Sequence, residues 1–506
     1  MVAQAGQLRN PDCAIVFDEP RDCALLSEYA DSYQGSGLAD IVIYRHRFWE
    51  IDCCGDGWVV HQSSPDGNSL FSGLHFVTRW ENGQGSLAVS PEATIRGRQA
   101  WGKQGVACAW LGRLPTGLYL GTLYDNSAAV IVPKKPEHLV AVWCFCSSPE
   151  FSIEVRKINQ KTQVANATLV KVPFDLAHWQ KVAEEQYPNG LPEPYSDDPT
   201  QWLFHGHPKP STAPLQVAVA RLLGYRWPAE QDEEMELAQE AREWIAKAQE
   251  LNQFTDDDGV VCLPAVGGEQ PAETRLRGLL VEAWAAANRL TCPTRLTGPT
   301  DDVWSPSVEA RLLSEAGAAG KTLGDYLRDL FFAQHCRLFH NRPFLWHLWD
   351  GKRDGFSVIV NYHTLDRAKL ERLTYTYLGD WISRQRHATD AGEPGAEGRL
   401  VAALSLQEKL KPILDGWVAP DKRKGYDIYV RWKQLREQPI GWDPDLNDGV
   451  RMNIRPFVQA GILRSRFTIN WNVDRGKNPD GSDRINDLHY TRAEKEAARS
   501  GAGVQG

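Results

Sequence analysis

A change of residue period part-way along the chain limits its architecture more than any other feature. Up to about Asp197, short β-type runs are separated by Gly, Pro and Asn: Ala39–Trp49, Leu70–Trp80, Gly105–Trp110, Gly117–Tyr124, Ala128–Val132 and Ala167–Val172. Such runs predict strands. Two stretches among them, His138–Cys146 and Ser148–Ile158, read as helices. The second opens on Ser148-Pro149-Glu150, a cap followed by the proline that suits a first turn. From Pro214 to about Asn288, apolar residues recur three and four apart, in Leu215-Ala218-Ala220-Leu222-Leu223, Leu237–Leu251 and Glu273–Leu290. The Asp256-Asp257-Asp258-Gly259 turn divides them. From Thr322 both patterns return. Leu323–Phe332, Lys369–Arg384 and Gly398–Ile413 have helical spacing, while Phe344–Leu348 and Phe356–Tyr362 flank the Asp350–Gly355 turn as a hairpin. The fold class that follows is α+β. A mixed α/β domain is expected over residues 1–197, a helical connector over 198–320 and an α+β C-terminal domain with a basic tail over 321–506. Ala497–Gly506 is small and polar and predicts disorder, and no internal repeat is visible.

At 506 residues the chain is long enough for two to four domains, each with its own core. No stretch reaches the roughly 20 apolar residues that span a bilayer, and Met1–Asn10 lacks the apolar run of a secretory signal. A cytoplasmic protein without membrane contact is expected. Ten cysteines in this length do not make a disulfide scaffold. Cys53-Cys54 and Cys144-Phe145-Cys146 have no second pair at zinc spacing and read as buried, reduced thiols. The net charge of −9 opposes general coating of nucleic acid, because phosphates are neutralised by Lys and Arg. The charge is uneven, acidic over Glu230–Glu250 and basic over Arg451–Lys477, so a phosphate-bearing partner would be met locally. Nineteen tryptophans exceed the usual number; most read as core, and any at the surface offer stacking faces.

Several constellations carry chemistry. Pro439–Phe457 combines turn residues with Trp442, Asp448, Arg451, Asn453, Arg455 and Phe457, which reads as an ordered polar loop suited to binding. Thr94–Arg113 sets Arg96, Arg98, Lys103 and Arg113 around Trp101 and Trp110, with glycines that allow close backbone approach. Guanidinium forks match guanine O6/N7 or phosphate, and a solvent-exposed hairpin is the alternative. Arg156-Lys157-Ile158-Asn159-Gln160-Lys161 is either a DNA contact or a helix end followed by a polar turn. Gln34-Gly35-Ser36-Gly37 reads as a flexible loop after a helix. His335, His340, His347 and Asp350 fit no metal-protease or nuclease spacing and, among many aromatics, read as hydrogen-bonded core histidines, as do His205 and His207. Gly317–Thr322 lacks the first glycine of a phosphate loop, since Glu315 stands there. The tail cations Arg451, Arg455, Arg464, Arg466, Arg475 and Lys477 are either phosphate contacts or a face docked on the acidic helices around Glu233–Glu243.

The run Leu446–Phe457 (LNDGVRMNIRPF) resembles the C-terminal region of large adenine-specific DNA methyltransferases of the BREX and DISARM phage-defence type. Leu338–Trp381 is similar to the block before that tail, and Gln201–Pro228 to the junction after the target-recognition domain. Asn166–Trp179 resembles the end of that domain, while Ser32-Tyr33-Gln34-Gly35 and Arg47-Phe48-Trp49 resemble its opening. The blocks occur in the family's order. The family's Asn-Pro-Pro-aromatic loop and its Gly-rich S-adenosylmethionine turn have no counterpart; Asn10-Pro11-Asp12-Cys13 and Asn478-Pro479-Asp480-Gly481 each have a single proline and read as turns.

The resemblance thus implies a target-recognition and scaffolding chain that binds double-stranded DNA and has no catalytic residue, metal or cofactor of its own. A catalytic partner subunit, or an upstream half, would supply S-adenosylmethionine and N6 methylation of an extruded adenine. The expected DNA contacts are Gln34, Arg96, Arg98, Lys103, Arg113, Arg156, Lys157, Arg451, Asn453 and Arg455. A structural interaction subunit of a defence complex, without DNA contact, is the alternative. A hydrolase built on His335–Asp350 is a third reading.

Overall fold

The computed structural model describes residues 24–38, 41–51, 57–67, 69–286, 304–416, 434–438, 440–442, 444, 446–466, 469, 481 and 492–502. Cys53-Cys54, Asn10–Cys13, Arg475 and Lys477 lie outside these residues. The described chain is α+β, with three small sheets and many helices.

The first sheet is antiparallel, in the order β1 (Ala30–Gln34), β8 (Ala128–Pro133), β5 (Gly105–Ala109), β6 (Thr116–Tyr119). Strand β5 is flanked on both sides and every residue in it is buried. Helices α1 (Leu139–Cys146), α2 (Pro149–Ile158) and α3 (Leu176–Gln186) share a core with this sheet. As the sequence predicts, Ser148 caps α2 by accepting from Phe151 N. The strand expected over Ala167–Val172 is instead a helical turn, Asn166–Leu169, followed by bends. Val170 and Val172 carbonyls do accept from Ser27 and Leu26 N–H at 2.7 and 2.9 Å. Those partners lie at the helical turn Leu26–Tyr29, so no ladder continues.

The second sheet runs β2 (Arg45–Arg47), β4 (Phe76–Arg79), β3 (Trp58–Gln62), β7 (Leu123–Tyr124). Of the described residues in the expected Ala39–Trp49 strand, Arg45–Arg47 are extended and Ile41–Tyr44 is helical.

The third sheet orders β10 (Leu345–Trp349), β11 (Ser357–Asn361) and β9 (Val260–Cys262). The first two form the hairpin the turn predicts. Strand β9 comes from the segment expected as a helical connector, residues 198–320, and pairs with β11. One hydrophobic core accordingly runs from Phe48 and Trp49, through α4 (Pro214–Leu222), Leu251 just after α5 (Gln239–Glu250), α6 (Ala272–Ala286) and α7 (Pro306–Glu315), to Leu463. Helix α8 consists of Leu323–Tyr326, a π turn at Leu327–Phe331 and Phe332–Leu338. Helix α9 is built likewise from Arg367–Arg372, a π turn at Leu373–Tyr377 and Leu378–Asp390, and packs on α10 (Ala396–Asp415).

The stretch read as a polar binding loop, Pro439–Phe457, is core where it is described. Gly449–Asn453 (α11) and Arg455–Ala460 (α12) are helical, and the Phe457 ring lies 5.1 Å from Trp346 and 5.4 Å from Trp442. Val450, Ile454 and Phe457 recur four and three apart and supply the apolar face that draws these helices inward. The expected disorder from Ala497 also gives way to a helix, Arg492–Ala502 (α13).

A carboxylate cluster holds α9 against the approach to β9. The Tyr377 hydroxyl lies 2.9 Å from both Asp258 Oδ2 and Glu269 Oε1, Arg275 pairs with Asp256 at 2.8 Å and Arg372 with Asp258 at 3.0 Å. Burial, then the hydrogen bond and charge of Asp256, push the Asp258 carboxyl up to about 6. Asp256 stays below its ordinary value although burial acts the other way, because Asp258, the Val260 N–H and Arg275 favour its charge. The folded chain holds the Asp258 proton more tightly than the unfolded chain. The contribution from that proton is present at acid pH and drains away as pH rises from about 4 to about 6. Asp258→Asn is therefore expected to cost less at pH 7 than at pH 5, as read from urea midpoints; equal costs at both pH values would refute this assignment of the proton.

Candidate nucleic-acid interface

Three of the expected contacts come together at one end of the first sheet. Gln34 closes β1, and the residues after it are pinned rather than flexible. Ser36 N–H donates to Tyr124 O at 2.9 Å, and Gly37 exchanges backbone hydrogen bonds with Thr94 at 2.8 and 2.9 Å. The Ser36 hydroxyl donates to Arg96 O at 3.0 Å and accepts from Arg96 N–H at 3.1 Å. This fixes the backbone at Arg96, whose guanidinium donates to Gln34 Oε1 at 3.1 Å. Gly97 has φ +73, and a Cβ there would stand 2.2 Å from the Tyr124 hydroxyl, so only glycine lets this turn pass so close to the sheet. The turn aims Arg98 outward, with its guanidinium carbon 5.7 Å from the Trp80 ring and 5.5 Å from the Trp101 ring, a cation–π arrangement over two perpendicular indoles. Arg96, Arg98 and Lys103 are exposed.

Thr94–Arg113, whose cations the sequence groups around Trp101 and Trp110, is divided by β5, the strand expected at Gly105–Trp110. Strand β5, roughly 17 Å long at about 3.3 Å per residue, separates the Arg96–Lys103 turn from Arg113, which follows its far end. Arg113 lies exposed beside Gly112, whose carbonyl accepts from Arg156 at 2.8 Å. Arg156 also donates to the carbonyls of Lys161 and Thr162 and so stitches the end of α2 to the β5–β6 turn. Lys157 pairs with Glu154 at 3.0 Å. This is the helix-end alternative for Arg156 and Lys157, and it commits both cations to carbonyls and a carboxylate.

The tail residues do not join either group. Asn453 is 6% exposed and donates to the Tyr362 hydroxyl at 3.1 Å and to Gly449 O at 3.0 Å; Arg455 is 8% exposed. Their expected role as DNA contacts is corrected on that ground: a buried amide and guanidinium on core helices do not meet a duplex. Arg451 is half-buried. Arg464 binds Asp329 at 3.0 Å and covers the Trp349 ring at 3.9 Å, so its dock is α8, not the acidic residues Glu233–Glu243.

A second cationic cluster was missed. Arg45 and Arg47 lie two apart on β2, share a face, and cover the Phe76 ring at 4.1 and 3.8 Å. Arg45 pairs with Asp125 at 2.5 Å. Burial, offset in part by Glu50, lowers Arg47 to about 10; burial and then Arg47 lower His75 to about 2, so this imidazole is neutral. The signal was the alternation Arg45-His46-Arg47, the period of a strand with cations on one side.

Of the histidines expected in the core, His205, His207, His335 and His347 are buried, whereas His340 is exposed. His335 bonds Gln216 and the Leu345 N–H, but among the described residues neither ring nitrogen of the fully buried His347 has a hydrogen-bond partner, against the expectation that all were bonded. Burial, then Arg221, lowers His205 to about 3. Among the described residues no helix is long and apolar enough to cross a membrane. Compared with family models and with curated proteins, the chain matches none.

Proposed function

We propose that this chain reads double-stranded DNA for an adenine-specific N6 methyltransferase system of the restriction-modification or phage-defence kind. S-adenosylmethionine binding and methyl transfer would lie on a catalytic partner, or an upstream half, acting on an extruded adenine. Such a role belongs in the cytoplasm. The observation that carries the reading is the Gln34–Arg96–Arg98 surface, a half-buried amide and two exposed guanidiniums set by a hydrogen bond and two indoles. The Arg fork matches guanine O6/N7 and the Gln amide matches adenine N6/N7. Lys103 and, from the far end of β5, Arg113 would add phosphate contacts.

The test is binding of the purified chain to a pool of randomised duplexes at low and moderate salt. Arg96→Ala and Arg98→Ala are each expected to weaken binding to the preferred duplex by about 1–3 kcal/mol and to relax its sequence preference. Unchanged affinity and preference in both variants would remove this surface from the role. A protein-binding subunit without DNA contact is the second reading. It is favoured by the net charge of −9 and by the burial of Arg455 and the pairing of Arg464, which leave fewer cations for phosphate. Association that ignores salt would support it, because counterion release makes DNA binding fall steeply with salt.

A further inference from the structure

A cavity of about 320 Å³ opens where the start of α4 meets α7 and α8, within the size range of small-molecule sites. Its apolar wall includes Leu215, Leu312 and Leu338, and Tyr326, Arg337 and Glu315 supply polar groups. A buried hydrogen-bond chain behind the wall has only one self-consistent direction. Phe331 O can only accept, so the Gln216 amide turns its Nε2 toward it at 3.2 Å and toward the Tyr326 oxygen at 2.9 Å. Gln216 Oε1 then accepts from His335 Nδ1–H at 3.1 Å, and His335 Nε2 accepts the Leu345 N–H at 3.2 Å. Burial lowers His335 to about 3, which keeps it neutral as this arrangement requires. Gln216, Tyr326 and His335 are 6%, 0% and 0% exposed. The Tyr326 oxygen receives a hydrogen from Gln216, so its own hydrogen is left to donate, and Tyr326 lines the cavity.

Two further features face the same space. Helix α4 starts after Ala213, which cannot cap it, with Pro214 in the first turn; its leading N–H groups lack a side-chain acceptor from the cap. The Arg337 side chain is exposed and makes no hydrogen bond or ion pair among the described residues. A buried hydroxyl donor, a helix start and an unpaired guanidinium therefore border a space whose lining is part apolar and part polar. Glu315, exposed on the rim and 3.7 Å from Arg311, opposes a dianionic phosphate more than a single charge.

We propose that this cavity binds a monocarboxylate with an apolar body. The carboxylate accepts from Tyr326, Arg337 and the first turn of α4, and the body lies on Leu215, Leu312 and Leu338. The site is separate from the DNA-reading surface, and neither reading depends on the other. The test titrates the full chain with octanoate and 3-phenylpropionate, the matched primary amides and inorganic phosphate, reading binding by ligand-observed NMR and by the shift in melting temperature. A carboxylate is expected to bind at least tenfold better than its amide and better than phosphate. Tyr326→Phe and Arg337→Met are each expected to lose tenfold or more. Arg337 is exposed, so Arg337→Met keeps the test valid if Tyr326→Phe lowers stability. Equal binding of carboxylate and amide, preference for phosphate, equal binding to Arg337→Met and wild type, or no carboxylate binding at all would each overturn the proposal.

Discussion

Replacing Arg221 by Met is expected to destabilise the fold by about 3–5 kcal/mol, the usual consequence of stranding a buried partner charge. Arg221 is 0% exposed and pairs with Glu230 at 2.7 Å; Glu230 is itself 2% exposed on its side chain. The guanidinium also donates to the carbonyls of Gly206 and Ala248 at 3.0 and 2.5 Å and to Asn252 Oδ1 at 3.2 Å, tying three segments together. Gly206 has φ +78, and a Cβ there would lie 2.0 Å from Glu230 Oε1, so the loop cannot move away to hydrate the stranded carboxylate without losing its turn. The double variant Arg221→Met with Glu230→Gln should recover much of the loss, because removing both charges avoids the desolvation penalty. A urea midpoint for Arg221→Met close to that of the wild type would show that the pair contributes little.

Trp49→Ala is expected to have an effect at least as large, about 3–5 kcal/mol for the lost side chain and about 1 kcal/mol more for its hydrogen bond. Trp49 is fully buried, donates from Nε1 to Arg342 O at 3.0 Å and packs its ring 5.1 Å from Phe339. Its carbonyl bonds His363 Nε2 at 2.8 Å, and the adjacent Glu50 takes an ion pair from Arg342 at 2.8 Å. These contacts seat the end of β2 in the core that contains β10 and β11. The loss should therefore appear as a lower melting temperature of the whole core, with the α1–α3 core least affected. Hydrogen exchange resolved by segment measures this, and protection of β10 and β11 equal to wild type would refute it.

The helices with strong periods, α1, α2, α4 to α6 and α8 to α10, and the β10–β11 hairpin were legible because their apolar spacing and caps are local signals. Strand β5 was legible as the run Gly105–Trp110, although its small side chains are buried by β6 and β8 and not by their own bulk. Pro439–Phe457, in contrast, misled. Its turn residues and charges masked the spacing of Val450, Ile454 and Phe457, which decides the packing. At the candidate interface, sequence singled out Gln34, Arg96 and Arg98. The hydrogen bond that joins the first two crosses 62 positions, and the indole beneath Arg98 comes partly from Trp80; neither pairing leaves a local trace.

Strand β9 closes its sheet only against β11, which lies far downstream. A chain emerging from the ribosome therefore presents Val260-Val261-Cys262 long before the hairpin that shields them exists. High contact order of this kind slows folding and leaves an adhesive apolar edge exposed meanwhile. Nascent chains of this protein should accordingly engage chaperones while the last third is still being translated.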